Sequence, residues 1–221
     1  MKPMLMAATL TLVGGTAWAE LPVLAADVGV TANVISTRQF DLVSSTDHLA
    51  LGHVGAAITF EIPYSALDVE LAYHGGEVAE QAHSTVKASL AMKGVEVGAT
   101  WRYPWLRHLH PYAHLGVGVD WATLTLFDTS RLTQTVANPS GTGLVGVQVP
   151  FRLARKPAGR APVLLIDVGV GYTLRPGYAF TTLAPTPGTP QPADPVPSST
   201  VNVGTMPLSG ITYRVLLALR Y

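Results

Sequence analysis

Histidine, serine and carboxylate side chains are the groups in this sequence that could do chemistry, and their spacing decides which chemistry is open to them. Seven histidines stand at His48, His53, His74, His83, His108, His110 and His114. His108 and His110 form the one close pair. They fall in a predicted turn with no identified carboxylate partner, so they read as solvated or interfacial and not as a zinc site. His83 and Ser84 place a base beside a hydroxyl. Neighbours on a strand point to opposite faces, however, so the two cannot meet as nucleophile and base without a turn. The chain has no cysteine, which removes thiolate metal sites, a thiol nucleophile and disulfides. The pairs Gly116, Gly118 and Gly169, Gly171 lack the following helix that a phosphate loop needs. No catalytic, cofactor or metal site is expected.

The elements that position these residues follow from composition and periodicity. Fourteen Lys and Arg balance 14 Asp and Glu across 221 residues, so the field that draws a protein to nucleic acid is missing. Charged residues make up 13% of the chain and hydrophobic residues 48%, against about 25% charged in an ordinary soluble domain. After the first 20 residues no uncharged apolar run approaches the ~18 needed for a membrane-crossing helix. The N-terminus itself reads as a signal peptide over residues 1–19. Lys2 supplies the positive region, residues 4–13 the apolar region, and Ala17, Trp18 and Ala19 the small-x-small cleavage site before Glu20. The remaining residues, 20–221, read as one domain.

Within that domain eight segments alternate apolar and polar residues with a period of two: 27–34, 53–62, 67–74, 86–103, 113–121, 145–152, 164–175 and 211–221. This is the mark of strands whose two faces meet different surroundings. The fourth segment slips phase at Lys93 and Gly94, which predicts a bulge. With the phase set by Val, Leu, Ile and aromatic residues, all 14 strand charges fall on the opposite face. They are Asp27, Glu61, Asp68, Glu70, Glu96, Asp120 and Asp167 with Lys87, Lys93, Arg102, Arg152, Arg175, Arg214 and Arg220. Glycines gather on that same face, where they make room for long side chains. A soluble barrel would wet the charges and needs a more charged exterior than this. A transmembrane barrel turns the apolar face to lipid and the charges to the lumen, and its closure leaves no unpaired strand edge.

The fold class expected is therefore all-β, an antiparallel up-and-down transmembrane barrel of eight strands. Short turns around Pro63, at 104–111 and at 154–161 alternate with longer connections at 36–48, 75–85, 128–142 and 176–205, as periplasmic turns alternate with extracellular loops in such barrels. The last connection carries six prolines between Pro185 and Pro197, which predicts an extended surface arm that does not pack. Tyr64, Trp101, Tyr103, Trp105, Tyr112, Phe151 and Tyr221 are expected to form an aromatic girdle at one interface.

The closing segment GITYRVLLALRY and the strand-turn-strand stretches RYPWLRHLHPYAHLGVGV and DVGVGYTLRP resemble the small outer-membrane β-barrel proteins of bacteria with two membranes, of the eight-stranded outer-membrane protein A and X types. The resemblance implies a place in the cell outer membrane, in contact with its lipid and lipopolysaccharide. It also implies that the final strand ending in Tyr221 is the signal read by the barrel assembly machinery. Two functions are then weighed above a third. An eight-stranded lumen is only wide enough for side chains to fill, and a balanced interior of both signs is unlike a selective pore. The favoured reading is thus a plugged barrel with a structural or surface-interaction role, whose loops present a binding surface to an external ligand or envelope partner. A narrow channel for small solutes is the alternative, and a lipid-modifying enzyme of the outer leaflet comes third.

Overall fold

The computed structural model describes residues 23–82, 86–103, 108–127, 131–153, 162–185 and 201–221. The expected signal peptide, the pair His83 and Ser84, Trp105, the turn at 154–161 and the proline stretch 186–200 lie outside them. Eight long strands form the frame: β1 (Val23–Val34), β2 (His48–Ile62), β3 (Ser65–Ala82), β4 (Val86–Arg102), β5 (His110–Phe127), β6 (Arg131–Arg152), β7 (Val163–Leu174) and β11 (Gly210–Arg220). Each is antiparallel to its neighbour in sequence, β7 pairs with β11 and β11 with β1, so the sheet closes on itself. Mutual hydrogen bonds between Leu24 and Tyr221 at 3.2 and 2.9 Å extend the closing seam to the last residue. The chain is an eight-stranded antiparallel up-and-down barrel of the transmembrane type.

The outer surface explains why the strands alternate. Val28, Val54, Leu71, Val97, Val117, Val145, Val168 and Leu217, one from each strand, all stand exposed on it. A monomer in water rarely shows a continuous apolar band of this kind, whereas lipid requires one. The β2–β3 turn is a two-residue connection, since Ile62 pairs with Ser65. Pro63 suits its first position and Tyr64, at φ 64°, occupies the left-handed second position. At this end of the barrel Tyr64, Trp101, Tyr103, Phe151 and Tyr221 are exposed as expected of a girdle. Tyr112 does not join them: it points inward and is 5% exposed. Its place in the alternation of β5, two residues before His114, required this. A second set of exposed aromatics, Tyr73, Tyr172 and Tyr213, lies toward the other end.

The strands are longer than the alternation suggested. β7 and β11 have 12 and 11 residues, close to the ~9–11 that a tilted strand needs to cross a bilayer. β3, β5 and β6 run to 18, 18 and 22 residues, so the connections at 75–85 and 128–142 are mostly strand hairpins rather than loops. Along these hairpins the polarity of the sheet reverses. On the inward face of β4 the series Arg102, Thr100, Gly98, Glu96 and Gly94 continues without interruption as Met92, Leu90 and Ala88, all buried. Consecutive pairing across Lys93 and Gly94 with both β3 and β5 shows no bulge. What slips at Lys93 is the chemistry of the faces, not the backbone.

Beyond that level the interior is an apolar core. Met92 stands opposite Ala122 and Leu90 opposite Leu124. With Leu49, Leu51, Ile35, Phe40 and Val43 they meet Tyr178, Phe180, Leu183, Met206 and Leu208 in one buried cluster. The last five belong to the final connection. Its flanks fold as β8 (Tyr178–Phe180) against β10 (Gly204–Met206), as β9 (Ala184–Pro185) against β6, and through a bridge between Leu183 and Val201. A short 3-10 turn, Phe40–Leu42, supplies the remaining aromatic ring. The flanks of the connection 176–205 do pack: large apolar side chains at 178, 180 and 183, with 206 and 208 just beyond it, gain more from burial than they lose in order, while the proline stretch itself lies outside the described residues.

Candidate functional site in the barrel interior

The inward face below the apolar core gathers the titratable residues that the alternation placed there. Nearest the turn end, Asp68 on β3 accepts a forked pair of bonds from Arg102, Nε to Oδ2 at 2.7 Å and Nη2 to Oδ1 at 2.8 Å. It also accepts from Thr59 at 2.6 Å and from Arg220 at 3.2 Å. Two guanidiniums and a hydroxyl around one carboxylate leave it fully satisfied, the condition under which buried charge is tolerated. Asp167 on β7 forms the next centre. Tyr112 donates to its Oδ1 at 2.6 Å and Gln148 to its Oδ2 at 2.8 Å, with Arg214 at 3.7 Å. The Arg214 guanidinium also lies 5.5 Å from the Tyr112 ring centroid, within range of a cation–π contact.

Three imidazoles complete the network. His53 on β2 sets Nε2 at 3.0 Å from Asp27 Oδ1 and at 3.0 Å from Glu70 Oε1. His114 on β5 meets Glu96 through Nε2 at 3.1 Å and Thr100 through Nδ1 at 2.8 Å. His74 on β3 meets Asp120 Oδ1 at 2.7 Å, while Arg175 donates to Asp120 Oδ2 at 2.6 Å. A chain of small polar groups, Thr173 to Thr212 at 2.7 Å and Thr212 to Asn33 at 2.8 Å, lies on the same inward face. Glycine makes this density possible. A Cβ at Gly98 would sit 2.5 Å from the His114 ring and one at Gly169 would collide with the Tyr112 hydroxyl. These glycines are spaces that other strands' side chains occupy.

Of the fourteen expected network residues, the structure brings together Asp27, Asp68, Glu70, Glu96, Asp120, Asp167, Arg102, Arg175, Arg214 and Arg220. Lys87 and Lys93 are corrected: both are exposed, on the outer face of β4 where it leaves the apolar band. Glu61 continues the inward alternation of β2 but is exposed at the rim, so it borders the network without being enclosed. The side chain of Arg152 lies outside the described residues. The balance of signs is corrected too. Among the described residues six enclosed carboxylates face four arginines, and His53, His74 and His114, which the alternation puts on the same face, contact the carboxylates of Asp27, Glu70, Asp120 and Glu96. Tyr112, expected in the girdle, joins this network with Gln148 and the threonines, and each shares the alternation of a charged neighbour.

Chemically the interior is a set of closed ion pairs with little room. Its two described cavities are each about 30 Å³, enough for water and not for a solute. Asp27, His53 and Glu70 form a buried cluster whose donor atoms lie within 4.8 Å of one another, the group among the described residues that could hold a cation. His108 is exposed in the turn before β5, and His110, the first residue of β5, is half-buried. Among solved structures the chain is similar to Ail, the attachment invasion locus protein of Yersinia pestis, in complex with the heparin analogue sucrose octasulfate. The identity is 10% and the TM-score 0.48, covering 90% of this chain and 99% of that one. It is also similar to Neisserial surface protein A, at 14% identity and a TM-score of 0.41, covering 90% of this chain and 94% of that one. No family model and no curated protein matches the sequence.

Proposed function

We propose that this barrel is a closed, non-conducting protein of the bacterial outer membrane whose folded head serves surface interaction. The observation that carries the reading is the buried cluster over the charged lumen, in which Phe40, Leu49, Leu90, Leu124, Tyr178 and Phe180 are all 0% exposed. A conduction path would have to pass through it as well as through the ion pairs beneath. The described residues of the head are held to the barrel by this core, so the part of the surface they form is presented as an ordered shape. That suits recognition of an external ligand or envelope partner, because little order has to be gained on binding.

The remaining parts of the reading agree with this one. Residues 1–19 direct export and are removed, the turn end faces the periplasm and the hairpins face outward. The apolar band contacts membrane lipid, and lipopolysaccharide surrounds the outer leaflet. β11, ending on Tyr221, is the segment offered to the barrel assembly machinery. The role is binding and not catalysis, since the three luminal imidazoles are each engaged by carboxylates beneath a sealed end. Planar bilayers test the closed state: folded protein is expected to give no steady conductance steps, and reproducible steps would overturn it in favour of a narrow channel. Orientation is tested by an epitope placed between Pro185 and Val201, which antibody should reach on intact cells.

A further inference from the structure

Asp27, His53 and Glu70 stand on the adjacent strands β1, β2 and β3, side by side on the inward face, and all three are buried. The His53 Nε2 atom is shared: it lies 3.0 Å from an oxygen of each carboxylate. A ring nitrogen carries one hydrogen or one lone pair, never two hydrogens. The hydrogen bond runs to Glu70 Oε1 at 3.0 Å. Asp27 Oδ1 is thereby left aimed into the cluster, buried and without any hydrogen bond, on a residue only 9% exposed. An unsatisfied buried carboxylate oxygen is costly and calls for an explanation.

The other two imidazoles show what a completed arrangement looks like. His74 meets one oxygen of Asp120 while Arg175 takes the other. His114 spends one nitrogen on Glu96 and the other on Thr100. Among the described residues the Asp27 cluster alone presents two carboxylates to a single nitrogen, and Arg214, the nearby guanidinium, pairs with Asp167. A cation that replaced the Nε2 proton, released to solvent on binding, would satisfy both anions and the freed nitrogen lone pair together. Bonds of about 2.0–2.2 Å to a tetrahedral ion set its ligands roughly 3.3 Å apart, and two of the three separations are already 3.0 Å. The cavity of about 30 Å³ bordered by Asp27 and Glu70 has room for a water as fourth ligand.

We propose that Asp27, His53 and Glu70 bind a single first-row divalent cation in the barrel lumen, with Zn²⁺ the best match. One imidazole nitrogen with two carboxylates is a borderline donor set that suits Zn²⁺, whereas Ca²⁺ and Mg²⁺ require six or more oxygens. The site does not depend on the reading of the head as an interaction surface.

The test uses the full mature barrel, refolded in detergent, in a His108→Asn/His110→Asn background that removes the pair in the turn. Folded protein, selected by its resistance to SDS, is dialysed against micromolar Zn²⁺ and its metal counted. About one equivalent is expected, replaceable by Co²⁺ with visible absorption of a four-coordinate site; less than about a tenth of an equivalent overturns the proposal. Folded His53→Gln protein should lose the metal and folded His114→Gln keep it, and full retention in His53→Gln also overturns it. If His53→Gln does not refold, Asp27→Asn and Glu70→Gln carry the same comparison. If none refolds, the ring resonances of the background protein decide. Zn²⁺ must move those of His53 and leave those of His114, and the reverse pattern refutes the site.

Discussion

Asp68 accepts from Arg102, Arg220 and Thr59 at a buried position, so its loss leaves two guanidiniums without the carboxylate they share. Asp68→Asn keeps the volume and removes the charge, and should lower the unfolding free energy by about 3–5 kcal/mol, the cost of breaking a buried pair from one side. Urea titration of the barrel in lipid vesicles measures it. Lys93 sets the opposite expectation. Because it is exposed on the outer face, Lys93→Gln should change stability by no more than about 0.5 kcal/mol in the same titration, where a luminal lysine would have cost several times that. The contrast marks what was legible at this scale. Wherever a strand lies within the membrane, alternation assigned Asp27, Glu70, Asp120, Arg175 and Arg214 correctly. The rule itself assumed lipid outside, and at Lys87 and Lys93 water stands there instead. The histidines were missed for another reason: a residue that pairs with a carboxylate from a neighbouring strand has no partner at any fixed distance along the chain.

Individual strands continue past the membrane as β3–β4 and β5–β6 hairpins, whose inward residues pass from charged to apolar without a break in pairing. Hydrophobic periodicity alone could not separate this from a bulge, since both shift the apolar residues by one position. Nor could composition reveal that the final connection contributes to a core, because Tyr178, Phe180, Leu183, Met206 and Leu208 are scattered around a proline-rich stretch. Phe180 is fully buried and paired in β8 against Gly204 in β10. Phe180→Ala should cost the head about 3–5 kcal/mol. Hydrogen exchange would register it as lost protection in β8 and β10, with the barrel strands still protected. Deleting residues 186–199 should do far less. Leu183 and Val201 are already bridged on either side of the segment, so a short replacement linker leaves the closure of the connection intact; unchanged exchange protection in β10 is the expected readout.

For the molecule as a whole, closure leaves every barrel strand paired on both edges, so unfolding has no free edge at which to begin. The folded protein should therefore resist SDS until boiled and run at different positions on a gel before and after heating; one position for both samples would refute the membrane barrel. This level was the most legible in the sequence, because lipid imposes its alternation on all eight strands at once and a ring is the arrangement that leaves no edge in a bilayer. What the ring encloses was less so, since depth along the barrel axis has no sequence period. The seal at the hairpin end has a consequence for which compartment the interior belongs to. Arg220 and Glu61 border solvent at the turn end, while toward the opposite end the described residues pack into the apolar core. With the closed state and the orientation proposed above, the protein would be a cup and not a tube: its charged interior would equilibrate with the periplasm alone, and a change of ions or acidity in the external medium would reach Asp27, His53 and Glu70 only after the periplasm itself had changed.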